Sequence, residues 1–235
     1  MSKVFIIPDV HLKPWMFEKA LALIEGKNFD NIVMLGDFVD DWNQEFNLAL
    51  YNETFDAIMH FLERYSDTLY CFGNHDVSYL WNAYESGYSA YARDIVVEGI
   101  NKIIYTLPEN NSAFIHRIDN VLFSHAGITQ QFVLRHFGHR EKPDIDYMLE
   151  KINKMGRTEL WDNDLPIWAR PQYENMRLYP SSMLQVVGHT PVKTALKEGN
   201  LITLDNFSTY RDGKPIGDER FVCIDTEKLD MEYVE

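Results

Sequence analysis

Five short polar clusters carry the chemistry open to this sequence. Asp9-Val10-His11, Gly36-Asp37, Gly73-Asn74-His75-Asp76, His125-Ala126-Gly127 and Gly188-His189-Thr190 each follow directly on an apolar run. With Asp40 they supply three carboxylates (Asp9, Asp37, Asp40), four imidazoles (His11, His75, His125, His189) and the carboxamide of Asn74. Each piece alone is ordinary, since Asp-x-His occurs by chance and an Asp after Gly is a common turn former. As a set, oxygen and imidazole donors without thiolate suit manganese, iron or zinc, not an iron–sulfur cluster or a structural zinc finger. In extended chain Asp9 and His11 point the same way, so one ion can take both. The patterns G-x-x-x-x-G-K-[ST], H-E-x-x-H, G-x-S-x-G and G-x-G-x-x-G are absent. That removes kinase-like, zinc-protease, serine-hydrolase and dinucleotide readings.

Such clusters act together only if the fold gathers them. In α/β sheets the loops at the carboxyl ends of strands meet at one edge, where ligands bind. Apolar runs at Val4–Ile7, Ile32–Leu35, Leu69–Phe72, Val121–Ser124 and Leu184–Val187 predict the strands that end in the five clusters. Ala113–Ile118 adds a strand joined to Val121–Ser124 by Asp119-Asn120, a good hairpin turn; Leu201–Leu204 and Phe221–Ile224 supply the last ones. Pro14 opens a helix through Met16, Ala20, Leu23 and Ile24, and a second helix is predicted from Asn43 to Tyr65. Residues 77–108 read as an aromatic-rich, mostly helical segment, and 129–180 as helices and loops over one end of the sheet. Both are expected to be cap segments of one domain spanning residues 1–235. Short β-rich runs alternating with helical patterns define the class as α/β.

Composition narrows the reading further. The chain is 46% hydrophobic, and its 14 Phe, 13 Tyr and 5 Trp can fill a sizeable core, which excludes a disordered chain. No run of about 18 apolar residues predicts a membrane span, and the apolar start is too short for a secretory signal. Cys71 and Cys223 are isolated, as expected of structural thiols in a reducing cytoplasm. A net charge of −14 argues against nonspecific nucleic-acid binding, which needs clustered Lys and Arg. It leaves room for a phosphate substrate, because bound divalent cations reverse the potential locally.

In this order D-x-H, G-D-x-x-D, G-N-H-[DE], H-[AG]-G and G-H-T resemble the calcineurin-like metallophosphoesterases. The sequence looks most similar to the Ser/Thr protein phosphatase branch, which includes phage lambda-type phosphatases and symmetrical diadenosine tetraphosphatases, over Asp9 to His189. The resemblance implies a central β-sandwich flanked by helices, with two divalent metal ions at one end. It implies that Asp9 and His11 bind the first ion, that Asp37 bridges both, and that Asn74, His125 and His189 complete the second. Manganese is the expected metal, with iron, zinc, nickel or magnesium as alternatives. His75 is implied as general acid, oriented by Asp40, so that it protonates the leaving alkoxide while a hydroxide bridging the ions attacks phosphorus.

Two positions depart from the family pattern. Pro191 stands where the G-H-x-H variant of other branches has a further ligand, which agrees with the G-H-T branch. Asp41 and Trp42 stand where the protein phosphatases have Arg-Gly, and a carboxylate cannot replace a phosphate-gripping guanidinium. The segment from Leu160-Trp161-Asp162 to Pro171 resembles the one that carries a second phosphate-contacting arginine, so Arg170 is the candidate, with Arg177 behind it. The expected activity is hydrolysis of phosphate monoesters, on a phosphoprotein or a phosphorylated small molecule. The alternatives are a hydrolase of dinucleoside polyphosphates or other nucleotides, and a binding scaffold without chemistry. His60, His116, His136 and His139 read as surface or packing residues, and the tyrosine-rich run Tyr79 to Tyr91 as packing for the cap, with stacking on an adenine or a phosphotyrosine ring as the alternative. Asp76 reads as a helix cap or a residue that orients a ligand, and Asp205-Asn206 as a turn, although the resemblance implies that a loop returns towards the site there.

Overall fold

The computed structural model describes residues 2–138, 144–161, 166–173 and 176–235. Strand β1 (Lys3–Ile7) shows how the layers arise, because its alternate side chains serve two different cores. Val4 and Ile6 face one apolar cluster, and Phe5 and Ile7 face another. β1 pairs in parallel with β2 (Asn31–Met34), β2 with β3 (Leu69–Cys71), and β3 with β4 (Ser112–Ala113). On its other side β1 pairs antiparallel with β10 (Val222–Asp225), which pairs with β11 (Asp230–Tyr233). The six-stranded order is β11-β10-β1-β2-β3-β4. A second sheet joins β5 (Ile115–Ile118), β6 (Val121–Ser124), β7 (Leu184–Pro191), β8 (Leu196–Glu198) and β9 (Leu201–Asp205) in the order β5-β6-β7-β9-β8.

Val4, Ile6, Val33, Leu35 and Cys71 of the first sheet pack on Val121, Phe123, Val186, Ile202 and Leu204 of the second. Helices α1 (Trp15–Ile24), α2 (Leu48–Arg64) and α4 (Arg93–Thr106) cover the outer face of the first sheet through Phe17, Phe61, Ile58 and Ile100. The short α3 (Asn74–Leu80) leaves the end of β3. Helices α5 (Gln130–Phe137), α6 (Ile145–Ile152) and α7 (Arg157–Leu160) cover the second sheet through Phe132, Met148, Ile152 and Leu160. Each fully buried large side chain at these seams contributes roughly 1.5–3 kcal/mol relative to exposure. The fold is α/β, a two-sheet sandwich flanked by helices. Among the described residues no helix is long and apolar enough to cross a membrane.

Several boundaries differ from expectation, each for a local reason. The second helix starts at Leu48, not Asn43. Asn43 has a positive φ of 61°, and Asn47 caps the helix by accepting from the Leu50 amide. Phe46 is therefore outside the helix and exposed. The expected strand Ala113–Ile118 is two strands in two sheets. The Asn153 side-chain oxygen accepts from both Phe114 and Ile115 amides, at 3.0 Å each, and turns the chain from one sheet to the other. β8 and β11 escaped prediction because they are short edge strands: β8 is exposed throughout, and β11 alternates over only four residues with Met231 and Tyr233 half-buried. His136 lies on α5 with its ring against Phe132, not in a loop, and His139 lies outside the described residues.

Candidate metal centre

β1, β2 and β3 run parallel and end at one edge of the first sheet. The second sheet reaches the same edge, where the His189 amide donates to Asp9 Oδ1 at 2.8 Å and the Gly188 amide to the His125 carbonyl at 2.9 Å. His189 sits within β7, at an irregularity between Val187 and Pro191, and not after a shorter strand as the apolar run implied. The turns are tight: φ is +44° at His11, +50° at Asp37, +66° at Asp40 and +62° at His189. Left-handed backbone at non-glycine residues is uncommon and gathers at functional sites. Gly36, at φ +92°, lets the loops after β2 and β3 touch; a Cβ there would lie 2.5 Å from the Gly73 nitrogen. A Cβ at Gly188 would run into the Asp9 carboxylate. Asp76 locks the same loops by accepting from the amides of Asp37 (2.9 Å), Phe38 (3.0 Å) and Gly73 (3.0 Å). It both caps α3 and orients Asp37.

Three imidazoles are held from behind by carbonyls. His125 Nδ1 faces the Leu35 carbonyl at 2.9 Å, His189 Nε2 the Trp168 carbonyl at 3.2 Å, and His11 Nδ1 the Asp40 carbonyl at 2.7 Å. Donation to those carbonyls leaves the other nitrogen of each ring facing inward, the arrangement that prepares histidine for a metal. His125 Nε2 then lies 2.9 Å from Asn74 Oδ1, 3.1 Å from His189 Nδ1 and 3.2 Å from Asp37 Oδ2. Four electron-rich atoms meet at one point, so a proton or a metal ion has to sit among them. Burial disfavours charge on His125, yet Asp37 and Asp9 outweigh it and push its pKa up to about 9. His189 goes the other way, well below its usual range, through burial and the positive charges of His125 and Arg170.

A second group shares Asp37. Donor atoms of Asp9, His11 and Asp37 lie within 4.8 Å of one another, as do those of Asp37, His125 and His189. Asp9 is fully buried, and its Oδ2 has no hydrogen-bond partner among the described residues. Burial and the Asp205 carboxylate raise its pKa well above the usual range. Asp37 is also desolvated, but His125, His75 and His11 hold its carboxyl below that range. An orphaned buried carboxylate oxygen and an all-nitrogen-and-oxygen donor set fit hard or borderline divalent cations.

His75 stands beside this group with its ring 5.2 Å from that of His11. Its Nδ1 is 3.0 Å from Asp40 Oδ2, while Asp40 Oδ1 accepts from Tyr51 (3.0 Å) and Tyr79 (2.5 Å). Burial opposes a charged His75, but the carboxylates of Asp37, Glu85 and Asp40 prevail and raise its pKa well above the usual value. Tyr79 is therefore more than packing, since it anchors the carboxylate behind His75. Glu85, from the aromatic segment after α3, completes the cluster. It accepts from Asn74 Nδ2 at 2.8 Å, which turns the Asn74 oxygen towards His125, and its Oε1 lies 3.3 Å from His75 Nδ1. Burial pushes the Glu85 carboxyl up to about 7.

His11, Asp37, Asp40, Asn74, His75, Glu85 and His189 line a cavity of about 230 Å³ with Trp42, Trp168, Arg170, Asp205 and Ser208. Arg170 Nη1 donates to the His189 carbonyl (2.9 Å) and Thr190 Oγ1 (3.2 Å), which fixes the guanidinium on the cavity wall. Arg177 is elsewhere, lining a separate cavity with Gln130 and Tyr179, and Asp162 lies outside the described residues. Asp41 does not face the cavity unopposed. Its Oδ2 pairs with Lys13 at 3.3 Å and its Oδ1 accepts from Thr209 at 2.6 Å. Sequence reasoning missed Glu85, which sits at no motif position, and treated Asp205 as a turn although it ends a buried apolar strand.

Fold and site together define a phosphoesterase of the sandwich type, with donors for metal at the strand ends. The model of the calcineurin-like phosphoesterases matches residues 2–219, and the chain belongs to that family, which is metal-dependent. A search of curated protein sequences finds no match. Among solved structures, a protein serine/threonine phosphatase from Saccharomyces cerevisiae with similarity to human phosphatase PP5 is 15% identical with a TM-score of 0.55, covering 99% of this chain and 79% of that one. A protein of Thermus thermophilus is 11% identical with a TM-score of 0.50, covering 99% and 97%. A metallophosphoesterase from Sphaerobacter thermophilus is 14% identical with a TM-score of 0.45, covering 100% and 88%. At these identities the likeness is one of fold.

Proposed function

We propose that this protein is a two-metal phosphomonoesterase with His75 as its general acid. The observation that carries the reading is the pairing of two donor groups on Asp37 with a carboxylate-backed imidazole next to them. Asp9, His11 and Asp37 would hold one divalent ion, and Asp37, Asn74, His125 and His189 the other, with manganese the expected metal. Ions held there supply Lewis-acid charge at the phosphoryl oxygens and lower the pKa of water. Asp40 keeps His75 protonated and fixes its orientation, so the proton on the nitrogen away from Asp40 is available to a leaving alkoxide. Tyr51 and Tyr79 hold Asp40 in that posture. Arg170, pinned to the end of β7, offers its remaining N–H groups to a phosphate oxygen.

A nucleotide substrate is the second reading. It is favoured by Trp42 at the cavity wall, half-exposed and covered by the Arg211 guanidinium at 4.7 Å from its ring centre, a surface suited to a planar base. Metal-stripped protein reloaded with manganese separates the readings when given a phosphothreonine peptide and diadenosine tetraphosphate side by side. Peptide turnover that collapses in His75→Asn supports the monoesterase. Turnover of the dinucleotide alone moves the assignment to nucleotides. Failure on both, and on an aryl phosphate with any divalent metal, sinks both readings and leaves the scaffold.

A further inference from the structure

Asp205 is the last residue of β9 and is 1% exposed. Its Oδ1 has no hydrogen-bond partner among the described residues, which for a buried carboxylate oxygen is costly unless something absent from the protein itself meets it. The same holds for Asp9 Oδ2. Asp205 lines the cavity together with His11 and Asp37. The other oxygen of the Asp205 carboxylate takes a hydrogen bond from Ser208. Asp9, His11 and Asp37 are the three residues whose donor atoms already form one group. In the strand register Asp205 lies opposite Pro191, which brings no side-chain donor to that flank.

Two buried carboxylates, each with an unmet oxygen, one within the donor group and one on the cavity wall that His11 and Asp37 also line, are what a cation between them would satisfy. We infer that Asp205 is a further oxygen ligand of the ion held by Asp9, His11 and Asp37. The inference rests on the metal-centre reading above and extends its donor set by one residue. It changes the character of that ion's surroundings to three carboxylates with one imidazole, a harder set than the one around the ion of His125 and His189. Manganese or magnesium suits the first position, and a softer ion such as zinc suits the second.

The test uses Asp205→Asn, nearly isosteric, and Asp205→Ala, with manganese alone as the probe. Binding is counted by titration calorimetry and electron paramagnetic resonance, and melting is followed in metal-stripped and reloaded protein. A ligand predicts opposite effects in the two states. Without metal Asp205→Asn melts at or above the wild type, because a buried carboxylate with an unmet oxygen is gone. With metal, one of the two ions binds at least about tenfold more weakly while the other keeps its affinity. Wild-type manganese binding by both variants overturns the inference and leaves the metal centre standing. Metal-free melting of Asp205→Asn that falls with the affinity overturns it too, by making Asp205 structural. A wild-type protein that binds no manganese overturns the inference and the metal-centre reading together.

Discussion

Replacing Asp40 by Asn separates the proton donor from the metal chemistry. Asp40 makes three hydrogen bonds in the structure, from His75, Tyr51 and Tyr79, and belongs to neither metal-donor group built on Asp37. The amide keeps the shape but removes the charge that supports an imidazolium. A hydrogen bond to a charged group is worth about 1.5–3 kcal/mol, which corresponds to about 10- to 150-fold in kcat. His75→Asn removes the acid itself and costs about 10²- to 10⁴-fold. The effect depends on the leaving group. An alkyl phosphate needs the proton and shows the full loss, whereas p-nitrophenyl phosphate leaves as a stabilised phenolate and loses little. The pH profile moves as well. His75 acts while protonated, so rate is lost as pH rises through its raised pKa; without Asp40 that limb shifts to lower pH. Manganese binding stays at the wild-type level. Equal losses on alkyl and aryl substrates, with an unmoved alkaline limb, would refute the assignment of Asp40 and His75 to proton donation.

Three other outcomes are expected. Chelation lowers the melting temperature: at about 100-fold excess over Kd a bound ion adds about 2.7 kcal/mol, or about 5–10 °C for a chain of this size, and scanning calorimetry with and without manganese reads it directly. Glu85→Ala frees the Asn74 amide to rotate and weakens one manganese site by about tenfold, while Glu85→Gln, which still accepts from Asn74, stays close to wild type; equal affinities in the two variants would remove Glu85 from the site. His116 donates to the Tyr70 carbonyl from a buried position, and burial holds its pKa below the ordinary 6.5. Its contribution is therefore complete above that value and is lost as pH falls towards the folded one, so between pH 7.5 and 5.5 the wild type loses more stability than His116→Gln; an identical decline would show that His116 charges freely in the folded state.

Much of this was legible because motif chemistry and strand patterning agree. Asp9, Asp37, Asn74 and His125 follow strands whose apolar runs are hard to misread, and Asp76 and Asp40 follow at fixed offsets. Glu85 was not legible, since its place is set by the fold of residues 81–92 over the cavity, which no spacing encodes. Asp205 looked like a turn because Asp-Asn ordinarily is one; the resemblance hinted at a loop returning to the site there, and the orphaned buried oxygen marks the residue out. The split between β4 and β5 turns on Asn153, some forty positions away in sequence, and nothing local to the Ala113–Ile118 run reveals it.

The wall of the cavity also bears on how substrate binds. Among its lining residues stand the carboxylates of Asp37, Asp40, Asp41, Glu85 and Asp205 against the single guanidinium of Arg170. Lys13 offsets Asp41 alone, and His75 is committed to Asp40 and Glu85. A phosphate dianion entering the metal-free protein would meet a field of its own sign on a chain whose net charge is already −14. On the proposed reading, the acids that look hostile to phosphate would be the means of attracting it, because divalent ions gathered there would reverse the local potential. On that reading metal would govern substrate affinity as well as turnover, and the missing family arginine at position 41 would matter less than the occupancy of the two donor groups around Asp37.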